Sequence, residues 1–107
     1  MVIDYRAYTF KPGTVSIFME MFERVGLPVQ NRILGRQTFL GIYRTEIGNV
    51  NEVIHLWQYM DANDRATKRA LLYKDAEFME YVGKARELIV RQDVRLLVAA
   101  DFNPRLS

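Results

Sequence analysis

The chain has 107 residues, 50% of them hydrophobic and 26% charged, which suits a single globular domain over residues 1–107 and leaves no room for a second. Fifteen Lys and Arg against thirteen Asp and Glu leave a net charge of +2, so composition does not imply a strongly basic surface built for nucleic acid or an anionic membrane. With no cysteine and one histidine, His55, disulfides, thiolate zinc sites, a cysteine nucleophile and two-His metal sites within one chain are excluded, and neither a metal nor a cofactor is expected. Val2 to Thr9 alternates Val2, Asp4, Arg6 and Tyr8 with Ile3, Tyr5, Ala7 and Thr9, which predicts a first strand with one partly polar face. Lys11-Pro12-Gly13-Thr14 breaks the pattern, and Thr14 is placed to cap a helix in which Phe18, Met21, Phe22 and Val25 recur at three- and four-residue spacings. Gly26 is expected to end that helix, with Pro28 opening a second helical piece that Gly35 stops. Gln37 to Ile47 reads as strand two, with Phe39, Gly41, Tyr43 and Thr45 on one parity and Leu40, Ile42, Arg44 and Glu46 on the other. Gly48-Asn49-Val50-Asn51 forms a hairpin loop, and Glu52 to Met60 follows as strand three, where Val53, His55, Trp57 and Tyr59 alternate with Ile54, Leu56, Gln58 and Met60. Asp61 and Asp75 are N-caps for two further helical segments, the second presenting Phe78, Val82, Ala85 and Ile89 on one face. Val90 to Ala99 closes the pattern as strand four.

Strand, helix, strand, strand, helix, strand is the order of the α+β ferredoxin-like βαββαβ motif, with a four-stranded antiparallel sheet and helices over one face. Strand three is apolar on both parities, so the second sheet face needs a cover, and another copy of the chain supplies one by two-fold symmetry. A homodimer or higher homo-oligomer is therefore expected. Asp4 and Arg6 interrupt the first apolar stretch, and no window approaches the ~20 apolar residues of a membrane span. The expectation is a soluble, cytoplasmic protein with no membrane span and no nucleic-acid partner.

Three stretches resemble the NIPSNAP family. They are Arg6-Ala7-Tyr8-Thr9-Phe10-Lys11-Pro12-Gly13, Gly26-Leu27-Pro28-Val29-Gln30, and the run from Gly41 through Thr45-Glu46-Ile47-Gly48 to Asn51-Glu52-Val53-Ile54-His55-Leu56-Trp57-Gln58-Tyr59, continuing to Asp64-Arg65. Asp75-Ala76-Glu77-Phe78 and the closing strand extend the likeness over nearly the whole chain, with Ala76, Phe78 and Glu87 as small departures from the family pattern. The resemblance implies a dimeric α+β barrel, an architecture shared with cofactor-free monooxygenases, muconolactone-type isomerases and haem-binding relatives. It carries no catalytic motif to transfer.

His55, Trp57 and Tyr59 share a parity on strand three, so a pocket between sheet and helices can receive all three. Trp57 and Tyr59 offer a stacking wall and hydrogen-bond donors, and His55 is the candidate catalytic acid or base near neutral pH. Arg6 and Tyr43 are further substrate-binding candidates if the strand registers bring them to the same side. The same aromatics also make ordinary core, and Arg6 has Asp4 as a natural pairing partner. Arg65 and Arg69 stand one turn apart and suit a carboxylate or phosphate, or simply a solvated helix face. An RNA-binding platform of Tyr5, Trp57 and Tyr59 requires these to share a face. The expected function is the holding of a small hydrophobic or aromatic molecule between sheet and helices. The alternative is a cofactor-independent monooxygenase or isomerase acting on a quinol-like or aromatic substrate; whether the chain is an enzyme stays open.

Overall fold

The alternating strands and capped helices assemble as their order predicts. A computed structural model describes residues 1–104. Strand β1 (Val2–Phe10) leads through the Gly13 turn, where φ is +81°, into helix α1 (Val15–Met21). A π-helical turn (Phe22–Gly26) joins α1 to α2 (Leu27–Leu34), and Gly35, with φ of +87°, ends the rod before β2 (Phe39–Arg44). After the 45–51 loop come β3 (Glu52–Tyr59), α3 (Ala62–Tyr73), α4 (Ala76–Arg86) and β4 (Ile89–Val98). The four strands form one sheet in the order β2-β3-β1-β4, each neighbour antiparallel. This is the α+β ferredoxin-like arrangement.

Asp61 and Asp75 cap as expected: their carboxylates accept from the backbone N–H of Asp64 and Phe78 at 2.8 and 2.9 Å. Three expectations change. Gly26 does not end the first helix; its backbone is right-handed (φ −59°, ψ −48°) and the helical rod runs on. Pro28 has no N–H, and its ring clashes with a carbonyl one turn back, which the widened turn before it absorbs. Glycine stands at 26 because the Tyr81 ring lies where a Cβ would be, 2.5 Å from the Tyr81 Cζ. Thr14 makes no side-chain cap; its hydroxyl donates to the Lys11 carbonyl at 2.7 Å. Strand two stops at Arg44, and a register irregularity between Phe39 and Gly41 changes its parity.

Register places Asp4 opposite Trp57, Arg6 opposite His55 and Tyr8 opposite Val53. Directly opposed residues share a face, and this face is the one the helices cover: Asp4, Arg6, Val53, His55, Trp57 and Tyr59 are all buried. Phe10, Phe18, Phe22, Val53 and Leu72 fill the core between the layers. The opposite face carries Ile3, Tyr5, Ala7, Ile54 and Leu56 with no helix over them. At the sheet edge β4 leaves Val94, Leu96 and Leu97 exposed. Among the described residues no helix is long and apolar enough to cross a membrane.

Candidate functional site

The polar parity of β1, set against β3, makes a charged frame beneath the helices. Asp4 has no solvent exposure, and its carboxylate accepts from Arg6 Nη1 at 3.1 and 3.3 Å and from Arg65 Nε on α3 at 2.8 Å. Arg6 Nε also donates to the Tyr8 hydroxyl at 2.8 Å. Burial opposes the Arg6 charge, but Tyr8 and Asp4 outweigh it and raise its pKa, so the guanidinium stays charged. The Asp4 carboxylate is thereby spent on two arginines. It compensates the frame.

His55 is buried beside this frame, 5% exposed, and the Trp57 indole donates to its Nδ1 at 2.8 Å. An indole N–H only donates, so Nδ1 is the acceptor and the ring proton belongs on Nε2. That Nε2 is buried and has no partner. Burial, with Arg6 and Arg69 adding repulsion, lowers the His55 pKa to about 3, so the ring is neutral across the physiological range. The Tyr8 ring meets it edge to face at 4.7 Å.

The His55 ring forms part of the wall of a cavity of about 80 Å³ between sheet and helices. Arg6 and Tyr8 come to it from β1, Phe22 from the π-turn, and Arg69 and Tyr73 from α3. Arg69 Nη2 donates to the Tyr73 hydroxyl at 2.7 Å. Burial works to raise the Tyr73 pKa, but the Arg69 charge and hydrogen bond, with Arg6 and Arg86 behind them, bring it below the ordinary value. Burial raises that of Tyr59, against the pull of nearby Arg69. The wall includes no Asp or Glu. Among the described residues no three His, Cys, Asp or Glu side chains converge as a metal site would need.

The residues singled out in the sequence separate here. His55 and Arg6 border the cavity; Trp57 sits behind His55 and fixes its tautomer without lining the space. Tyr59 is buried near the strand end, with the Lys68 ammonium 6.0 Å from its ring centre, and does not reach the cavity. Tyr43 lies across the sheet: it pairs with Ile54 and is 58% exposed. The irregularity after Phe39 is the cause, since Phe39 faces the helices opposite Trp57 while Gly41 and Tyr43 face away. The RNA platform fails for a similar reason, because Tyr5 opposes Leu56 on the open face, away from Trp57 and Tyr59. Tyr8 and Tyr73 were missed in the sequence. Tyr8 shares the parity of Asp4 and Arg6, and Tyr73 stands four residues after Arg69, so each carried a legible signal.

The NIPSNAP family model matches residues 3–104. The chain belongs to the NIPSNAP family. It is 30% identical to the human protein NipSnap homolog 3B over 103 residues, covering 96% of this chain and 41% of that protein. Protein NipSnap of Drosophila melanogaster is 25% identical over 103 residues, 96% of this chain and 36% of its own. The chain thus spans about two fifths of the length of the curated relatives it matches. A NIPSNAP-like domain protein of Burkholderia xenovorans superposes with a TM-score of 0.90 at 38% identity, covering 99% of this chain and 90% of that one. A NIPSNAP family protein of Agrobacterium tumefaciens superposes at 0.89 with 28% identity, covering 95% and 88%. An antibiotic biosynthesis monooxygenase shares the fold, with a TM-score of 0.67 at 12% identity over 94% and 99%. At that identity the likeness to the monooxygenase is one of fold alone, so the chemistry of this NIPSNAP domain has to be argued from its own cavity.

Proposed function

We propose that the chain forms a homodimer across its open sheet face and holds a small hydrophobic or aromatic molecule in the cavity between sheet and helices. The observation that carries the binding reading is His55 itself: a neutral, buried imidazole whose ring is part of the cavity wall and whose Nε2 has no partner. A buried donor left without a partner costs about 1–3 kcal/mol, a cost that a bound acceptor removes. Phe22, Phe78 and Val82 supply the apolar part of the same wall.

Apolar Ile3, Ala7, Ile54 and Leu56 support the dimer, since they share a face that no helix covers, and a second copy is self-complementary to it. For the rival reading, a cofactor-independent monooxygenase or isomerase with His55 as proton shuttle, a base with pKa near the working pH is required. His55, lowered to about 3 by burial and by Arg6 and Arg69, fits the role of hydrogen-bond donor better than that of base. Native mass spectrometry of the protein purified from its own host tests both parts. A dimer carrying an added mass is the expected result, and Leu56→Lys is expected to split it into monomers. A bare monomer of the unmodified chain refutes the dimer. No ligand-induced change in the Trp57 emission across a panel of aromatic compounds refutes the pocket.

A further inference from the structure

The charge around the cavity says more about its occupant than its size does. Three guanidiniums, from Arg6, Arg69 and Arg86, border it and no carboxylate does. Arg6 is compensated by Asp4. Among the described residues Arg69 and Arg86 have no carboxylate within salt-bridge distance, so the space carries an uncompensated positive potential. Arg69 is half-buried and is held by the Tyr73 hydroxyl, a neutral partner that leaves its charge unspent. The same three arginines act against burial to bring the Tyr73 pKa below its ordinary value.

The second observation is the orphaned His55 Nε2. Because Trp57 takes Nδ1, this edge can only donate, and it belongs to a residue only 5% exposed. A cation fork and a neutral N–H donor that border one small space recognise an anionic oxygen pair. The volume of about 80 Å³ is roughly half that of a cavity able to enclose a benzene ring, ~150 Å³. It therefore suits a headgroup and the atoms next to it, with exposed Arg86 and Gln92 marking the outer part of its wall.

We propose that this site selects carboxylic acids with an apolar or aromatic body, the carboxylate lying between the Arg69 guanidinium and the His55 Nε2–H. The inference rests on the small-molecule reading above and names the class of molecule. A neutral aromatic of the same shape offers one acceptor and no charge to the surrounding field, so discrimination comes from the headgroup and not from the hydrophobic wall.

The test uses the intact protein and the emission of its single tryptophan, Trp57, with calorimetry as a second readout. Benzoate and the isosteric neutral benzamide are the probes. Benzoate is expected to bind at least tenfold more tightly than benzamide. Arg69→Gln is expected to bring benzoate to within threefold of benzamide, and Arg69→Lys to fall between. Unaltered thermal melting of the variants separates a lost contact from a lost fold, and Arg86→Gln at the exposed mouth repeats the test at a position where the fold is not at stake. Equal binding of benzoate and benzamide overturns the acid selectivity and leaves the small-molecule site standing. Failure of both probes to bind at millimolar concentration overturns this proposal, and the broader aromatic panel then decides the pocket itself.

Discussion

Replacing Asp4 by alanine removes the one carboxylate that holds Arg6 and Arg65 together under the sheet. The Asp4 side chain is fully buried, that of Arg6 is 10% exposed and that of Arg65 is 27% exposed. Removing one member of a buried ion pair costs about 3–5 kcal/mol, because the remaining charge is stranded away from water. Here Arg6 carries that cost: it keeps only the Tyr8 hydroxyl, whereas Arg65 can turn outward into solvent. We therefore expect Asp4→Ala to lose about 3–4 kcal/mol, and Arg65→Ala about 1–2 kcal/mol because Asp4 then retains Arg6. At about 4–5 °C per kcal/mol for a domain of this size, Asp4→Ala lowers Tm by roughly 12–20 °C. Urea unfolding followed by Trp57 emission at one fixed protein concentration measures it, since self-association would otherwise enter the result. The paired change Asp4→Leu with Arg6→Met removes both charges and is expected to recover most of the loss. A loss below about 1 kcal/mol for Asp4→Ala would show that water reaches the trio, and the argument for a desolvated frame would fail.

Other perturbations follow from single contacts. Gly26→Ala puts a Cβ against the Tyr81 ring and is expected to cost about 1–3 kcal/mol, a cost that Tyr81→Ala in the same chain should largely abolish in a double-mutant cycle. The His55 pKa falls from 6.5 to about 3 on folding, so between those values the unfolded chain binds the extra proton. This contribution to stability is complete above about pH 6.5 and drains away as pH falls toward 3, at up to about 1.4 kcal/mol per pH unit. Urea unfolding at pH 7 and pH 5 should show about 2 kcal/mol of loss that His55→Gln no longer shows, and a His55 imidazole that titrates near pH 6.5 by NMR would contradict the burial. Trp57→Phe deletes the donor to Nδ1 and is expected to cost about 1–3 kcal/mol. In that variant the imidazole nitrogen shifts should report a mixture of tautomers where the parent chain shows one.

The sequence revealed most of the fold because strand alternation, acidic caps and the glycines at 13 and 35 are local signals that the tertiary structure respects. It revealed the pairing of Arg6 with His55 only as a condition on register, which no local pattern specifies. Tyr43 went to the wrong side because one irregular step at Phe39–Gly41 inverts every residue after it, and the flanking residues of such a step look like any other alternation. Gly26 misled in the opposite sense. Its punctuation is real, but its cause is Tyr81, 55 positions away in the chain. The cavity drew Arg69 and Tyr73 from α3 and Arg86 from α4, so its charge balance exists only once those elements pack.

The widened turn at Phe22–Gly26 also acts as a phase shifter. Residues of an ordinary helix advance about 100° each, so Gln30, eight positions after Phe22, would stand about 80° away around the axis. Absorbing one extra residue turns everything downstream back by about 100° and brings Gln30 to within about 20° of Phe22. Both side chains accordingly reach the same cavity, and Gln30 Nε2 donates to the Gly26 carbonyl at 3.0 Å. Deleting one residue from this turn would turn it into an ordinary α-helical turn and leave Val29, Gln30 and Leu34 on their buried face, whereas an ordinary α-turn with every residue kept would rotate all three out of it. The aim of half a helix is thus set by one residue's worth of slack.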